Sequence, residues 1–432
     1  MRKKVALILT FVMMLSFTAC QLVGGDKDLK GAKESGTVDL IKNRNRDVIH
    51  CFTDSVISSV DYDERAVCTR LTDFSLRLFL KDIEMEEAGK NVLISPTSII
   101  SALGMTTYGA NGETLAEMES MFGVSRGHLN NYNSSYLQKD VKELKIANSI
   151  WFTNASHLTV NDAFLQFDEE YYGASIYETA FNRATLGSIN DWVNKKTNGM
   201  IKDILDEIPA DAVMYLINAL AFEAEWDLKY FETDIRKNEE FTNSSGEKQQ
   251  VDMMSSIEAY YLEDSNAKGF IKNYKGGDYA FVALLPQEGM SVSDYIKTLS
   301  GESLHTMLEN PIQTSVDAKL PQFSYEYDVQ MKDLLKEMGM VAAFDSGTAD
   351  FSGLAISTKG NIYMNRVIHK TFIEVSPVGT KAGAATVVEM MDESCPMYEE
   401  MQEVHLDRPF LYMIIDCENN MPIFIGTVNS VE

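Results

Sequence analysis

The segment Asn91-Val92-Leu93-Ile94-Ser95-Pro96-Thr97-Ser98-Ile99 contains a helix start. Ser95 offers a side-chain oxygen to the free N–H groups of a first turn, and Pro96 falls where a missing N–H does no harm. With Ser95-Pro96-Thr97-Ser98 as its cap, the apolar stretch Ile99 to Tyr108 reads as a helix. Upstream, Leu71, Phe74, Leu76, Leu78 and Phe79 give Leu71 to Leu80 a rather wide apolar face, again helical. Downstream, Val213 to Phe222 is almost wholly apolar, the pattern of a strand buried on both faces. Phe281 to Leu285, Thr371 to Val375, Phe410 to Ile415 and Ile423 to Val428 are β-rich segments ended by Pro, Gly or Asp. Long strands and many helices without regular alternation predict an α+β fold rather than a doubly wound one.

Composition narrows the function. With 45% apolar and 24% charged residues the 432-residue chain is globular over most of its length, not disordered or fibrous. Its 38 Lys+Arg against 64 Asp+Glu give a net charge of −26, which excludes a nucleic-acid surface and repels anionic membranes. No Cys-x-x-Cys or His-Glu-x-x-His occurs, so neither metal nor cofactor is expected. The absence of Gly-x-Ser-x-Gly and Gly-x-x-x-x-Gly-Lys removes the commonest enzyme signatures.

Arg2, Lys3 and Lys4 followed by the apolar run Val5 to Phe17 form a secretory signal over residues 1–19, too short for a membrane span. Phe17-Thr18-Ala19-Cys20 resembles a bacterial lipoprotein box, which implies acyl chains on Cys20 and anchoring at the cell envelope. The alternative is ordinary cleavage near Ala19, leaving a free Cys20. Cleavage removes three positive charges, so the mature balance is 35 − 64 = −29. Residues 20–62 read as a polar, Gly-bearing tether, with a short helix possible over Val48, Ile49, Phe52, Val56 and Ile57. The spacing of Cys51, Cys68, Cys395 and Cys417 forms no disulfide framework, and free thiols are expected. Residues 63–432 show no second linker and no repeat.

The opening segment and a series of others, in order, resemble the serpins. They are Asn148-Ser149-Ile150-Trp151, Ile189-Asn190-Asp191-Trp192-Val193 with Thr197-Asn198-Gly199-Met200-Ile201, and Asn218-Ala219-Leu220-Ala221-Phe222 running to Trp226. Leu320-Pro321-Gln322-Phe323, Met338-Gly339-Met340, Ala343-Phe344-Asp345 and Asp350-Phe351-Ser352 follow. Val367-Ile368-His369-Lys370, Asp407-Arg408-Pro409-Phe410 and Pro422-Ile423-Phe424-Ile425-Gly426 complete the set. The resemblance spans residues 63–432. It implies one domain with a large mixed central sheet, further sheets, about nine helices and an exposed reactive centre loop at about 379–407.

Gly379-Thr380-Lys381-Ala382-Gly383-Ala384-Ala385-Thr386 is, by residue type, a flexible loop. Its alternation says more. Thr380, Ala382, Ala384, Thr386 and Val388 fall on one side of an extended chain and carry no charge, while Lys381 and Glu389 fall on the other. Such a strand can bury one face in a sheet. The resemblance makes this run the hinge, comprising Gly379, Thr380, Ala382, Gly383, Ala384, Ala385 and Thr386, which admits the cleaved loop as a new strand. It implies suicide inhibition of a serine or cysteine protease through a covalent acyl complex, by a metastable monomer that is not an enzyme.

The family's usual spacing from Gly379 puts the scissile bond between Glu393 and Ser394. Met390, Met391, Asp392, Met397 and Tyr398 remain open, because the loop is longer than usual. No Lys or Arg lies between Lys381 and Arg408, so a trypsin-like pocket finds no cation. Elastase-like, subtilisin-like, papain-like and Glu-specific targets stay open. The resemblance also implies a shutter of Ser95, Ser98, Asn190 and His369, and a breach at Trp226 where insertion begins. One departure is Ser376-Pro377-Val378, where many inhibitory members carry Glu, and proline brings no amide to a ladder. The alternative reading is a non-inhibitory serpin acting as a binding or chaperone-like module.

Overall fold

The computed structural model describes residues 38–39, 63–137, 139, 142–380 and 401–431. Asp63 accepts the Ala66 N–H and opens α1 (Glu64–Met85), which buries Leu71, Phe74, Leu78 and Phe79 as their spacing predicts. Ahead of it lies β1 (Val38–Asp39). β2 (Leu93–Ile94) leads into α2 (Pro96–Thr107), capped by Ser95 with Pro96 in its first turn. Next come α3 (Gly112–Phe122), α4 (Arg126–Leu137), β3 (Leu144–Thr153), β4 (Leu158–Val160), α5 (Asp162–Tyr172), β5 (Ser175–Thr179) and α6 (Arg183–Lys196). β6 (Met214–Phe222) is followed at once by β7 (Ala224–Glu225). β8 (Ile235–Thr242), β9 (Lys248–Glu263), β10 (Ala267–Asn273) and β11 (Tyr279–Pro286) precede α7 (Val292–Ile296) and α8 (Gly301–Glu309). The remainder is β12 (Ile312–Pro321), β13 (Phe323–Gln330), α9 (Lys332–Glu337), β14 (Ala355–Ser357), β15 (Ile368–Val375), β16 (Gly379–Thr380), β17 (Gln402–His405), β18 (Phe410–Asp416) and β19 (Met421–Val428). The α+β expectation holds, with nine α-helices among the described residues.

The central sheet comes as two four-stranded ladders. One has the order β1-β5-β3-β6, with β3 parallel to β5 and antiparallel to β6. The other has the order β13-β15-β16-β7 and is antiparallel throughout. They meet where β6 runs into β7. A larger mixed sheet, β17-β12-β9-β10-β11-β18-β19-β2 with β8 on β9, packs into the same core, and β4 pairs with β14.

Side chains of β6 alternate between two cores, as a pleated strand requires. Leu220 and Phe222 enter the main cluster together with residues of α2. Ile217 and Ala219 enter a smaller cluster with Ile189, Trp192 and Val193 of α6. Burial of β6 is less complete than the sequence predicts: Met214, Tyr215 and Leu216 are half-buried. The reason is positional, since they border a gap in the sheet.

Part of the expected tether touches the body. Val38 and Asp39 lie within residues 20–62, yet they pair antiparallel with Glu178 and Tyr177 at the edge of β5. An edge strand offers unpaired backbone groups for such a pairing. Cys68 and Cys417 are free, as expected, and burial raises both thiols to about 12. Cys20, Cys51 and Cys395, the signal and the Val48–Ile57 run lie outside the described residues.

Candidate functional site

β6 pairs with β3 along one edge, and β15 pairs with β13 along one edge. Among the described residues, the facing edges of β6 and β15 have no ladder between them. A cavity of about 250 Å³ occupies the space, lined by Ser95, Ser98, Ile217, Asn218, His369 and Phe372 among others. Each edge presents backbone N–H and C=O groups to it, so one further strand would complete the sheet.

The gap closes at one end, and the closing piece is the hinge. Gly379 pairs with Glu225, while Thr380 pairs with Ala224 on one side and Val375 on the other. Thr380 is buried, and its hydroxyl shares a hydrogen bond with Tyr274 Oη. Gly379 is needed for close approach: a Cβ there would lie 2.1 Å from the Ala224 carbonyl oxygen. The turn before it is held by backbone and indole donors. Trp226 N donates to Val378 O at 3.0 Å, Trp226 Nε1 to Ser376 O at 2.8 Å, and Tyr230 N to Pro377 O at 3.0 Å. Pro377 therefore contributes through its carbonyl, and its missing amide leaves no donor unpaired. Trp226 is fully buried and stacks on Tyr274 with centroids 4.5 Å apart.

The residues expected at the shutter are only partly brought together. Ser95 N donates to His369 Nε2 at 2.9 Å, Ser95 Oγ donates to Ile423 O at 2.9 Å, and Ser98 N donates to Ser95 Oγ at 3.4 Å. The acceptor role of Nε2 places the His369 proton on Nδ1. Burial lowers the His369 pKa to about 3, so the ring is neutral. Asn190 does not join this cluster. Its Oδ1 accepts from Ile204 N and Leu205 N, both at 3.0 Å, and its Nδ2 donates to Leu205 O at 2.8 Å. It thus braces a segment that lines the cavity from outside. The amide that borders the gap is Asn218 of β6, which donates to Asn148 Oδ1 at 2.8 Å and keeps a buried Oδ1 without a partner. A lone amide in the apolar run Val213 to Phe222 was the available signal.

Ala382, Gly383, Ala384, Ala385 and Thr386 lie outside the described residues, as do Met390, Met391, Asp392, Glu393, Ser394, Met397 and Tyr398. Beyond them, β17 pairs in parallel with β12, and His405 Nε2 lies 3.1 Å from Asp317 Oδ2. Paired strands thus flank residues 381–400 in the chain: β16 of the hinge ladder before them and β17 of the larger sheet after them.

Residues 69–431 match the family described as Serpin (serine protease inhibitor). Human Serpin B3 is 32% identical over 391 residues, covering 83% of this chain and 98% of that protein. The thermophilic serpin tengpin is 43% identical over 87% of this chain. Its native crystal structure gives a TM-score of 0.79 with 96% of that chain covered, and its latent structure 0.75 with 100% covered. Thyroxine-binding globulin in complex with thyroxine, 23% identical over 85% of this chain and 99% of its own, shares the fold at a TM-score of 0.73.

Proposed function

Because the chain belongs to the serpin family, we propose that it is a suicide inhibitor that traps a serine or cysteine protease by inserting its cleaved loop between β6 and β15. The observation that carries this reading is Thr380, seated between Ala224 and Val375 at the head of an unfilled gap. In the first step the protease oxygen or sulfur bonds to the carbonyl carbon of the reactive residue, Glu393 in the usual register. The bond to Ser394 breaks, and the leaving amine takes a proton. Residues beyond Thr380 then enter as a strand, carrying the acyl-enzyme away before water completes hydrolysis. A sheet short of one strand is a kinetic trap, and completing it drives the change.

The loop's lack of Lys and Arg points to a non-tryptic target, elastase-like, subtilisin-like, papain-like or Glu-specific. The N-terminal features add a lipid anchor on Cys20 and export to the bacterial envelope, and the family adds a monomeric body that is not itself an enzyme. A second reading draws on Pro377 and on the thyroxine-binding relative: a non-inhibitory serpin acting as a binding or chaperone-like module.

The mature chain, mixed with elastase, chymotrypsin, subtilisin, a papain-like enzyme and a Glu-specific protease, separates the two on denaturing gels. A complex surviving denaturant, with a released peptide starting at Ser394 or a neighbour, is the expected result. Clean cleavage without complex, and without a gain in heat resistance of the cut protein, favours the second reading.

A further inference from the structure

Beneath the hinge turn lies a buried ion pair. Lys272 of β10 and Glu258 of β9 are 2% and 9% exposed, with Nζ 2.8 Å from Oε1. Ser256 Oγ donates to the same carboxylate oxygen at 2.6 Å and sits 3.3 Å from Tyr230 Oη. The ammonium lies 4.4 Å from the centroid of the Tyr230 ring and 5.5 Å from that of Trp226. These are the two residues whose N–H groups hold the carbonyls of Ser376, Pro377 and Val378. One cation therefore touches both clamps on the turn that delivers Gly379 and Thr380 to the sheet.

Stability alone does not account for it. Desolvating two charges offsets most of their attraction, and apolar residues of similar volume commonly do as well. What a fixed ammonium adds is direction, since it draws two aromatic faces toward one point in a site shielded from water.

We propose that Lys272, held by Glu258, is a positioning residue for loop insertion: it pins Trp226 and Tyr230 on the 376–378 turn and so sets the barrier to admitting residues beyond Thr380. The inference rests on the insertion mechanism above. With the pin removed the turn loosens, and the uncleaved loop enters the gap on its own.

The test uses the uncleaved mature chain, incubated warm, with the heat-resistant inserted form read over time. A control, Leu335→Ala, removes core packing in α9 and destabilises without touching this joint. Lys272→Met is expected to convert about tenfold faster than the control at matched unfolding midpoint, the change that loss of contacts of this size makes to a barrier. Lys272→Arg keeps a cation over the rings and should restore the slow rate. Should Lys272→Met fail to fold, Lys272→Met/Glu258→Leu leaves no stranded charge and should convert equally fast. Conversion at the control's rate in the Lys272→Met or the paired variant overturns the proposal. Cleaved wild type is the separate arm: without a gain in heat resistance the insertion mechanism itself falls, whereas a gain beside an unchanged Lys272→Met rate removes only the role of Lys272.

Discussion

Thr380 and Tyr274, 106 positions apart, share a buried hydrogen bond between their hydroxyls. That contact ties the last sheet-paired residue of the hinge to the residue that follows β10, and it puts Thr380 at the boundary between loop and sheet. Tyr274→Phe leaves the Thr380 hydroxyl buried without a partner, at a cost of about 1–3 kcal/mol. The expected result is a lower unfolding midpoint in the native form, read by calorimetry.

Thr380→Arg carries a charge into a position enclosed between β7 and β15. Burying an unpaired cation is prohibitive, so the hinge is expelled and insertion stalls. The protease complex should vanish on denaturing gels, with the variant cut as a plain substrate. An unchanged complex yield would show that insertion does not depend on keeping Thr380 enclosed in the sheet.

Gly379→Ala tests the same joint through shape. With backbone at 2.1 Å from the new Cβ, the Gly379 and Thr380 pairings cannot persist unchanged. Backbone amide exchange at Thr380 should become faster, and complex yield should drop.

His369 predicts a pH dependence. Its folded pKa, lowered to about 3 by burial, lies below the ordinary value of 6.5. Below 6.5 the unfolded chain binds a proton that the native shutter refuses, so stability is present above that pH and is lost as pH falls toward 3. Denaturant midpoints should fall from pH 7 to pH 4, and His369→Gln should flatten that part of the profile.

Asp168 in α5 is fully buried, and neither carboxylate oxygen has a hydrogen-bond partner. Burial pushes its pKa well above the usual carboxylate range, so the folded chain holds a proton that the unfolded chain releases as pH rises. Stability from this group is therefore greatest at acid pH and declines above the ordinary carboxylate value. Asp168→Val, of similar volume, should raise the midpoint at pH 7, by about 1–3 kcal/mol.

Much of the fold was legible because its signals are local. Ser95 and Pro96 mark α2 through the chemistry of a first turn, and the β-rich segments ended by Pro, Gly or Asp return as β11, β15, β18 and β19. The alternation after Gly379 puts Thr380 on the uncharged side of an extended chain, and its pairing with Ala224 and Val375 buries it. What sequence could not supply were contacts set by neighbours distant along the chain. Asn190 looked like a shutter residue, but its amide is used up by Ile204 and Leu205, and Asn218 stands at the gap instead. Lys272 and Glu258 carry no sequence signal of their own, and only the pairing of β9 with β10 buries them together. Val38 and Asp39 form too short a strand to leave a periodic trace.

The pairing of Thr380 with Ala224 and Val375 also fixes a parity. Since side chains alternate along a strand, every later residue inherits its facing from this one match. Removing Lys381 alone would exchange odd for even, turning Glu389 inward and Ala382, Ala384 and Thr386 outward. Removing Lys381 and Ala382 together would restore the order and shorten the reach. Inhibition should therefore depend on whether a hinge deletion is odd or even more than on its length, a signature that a merely flexible linker cannot produce.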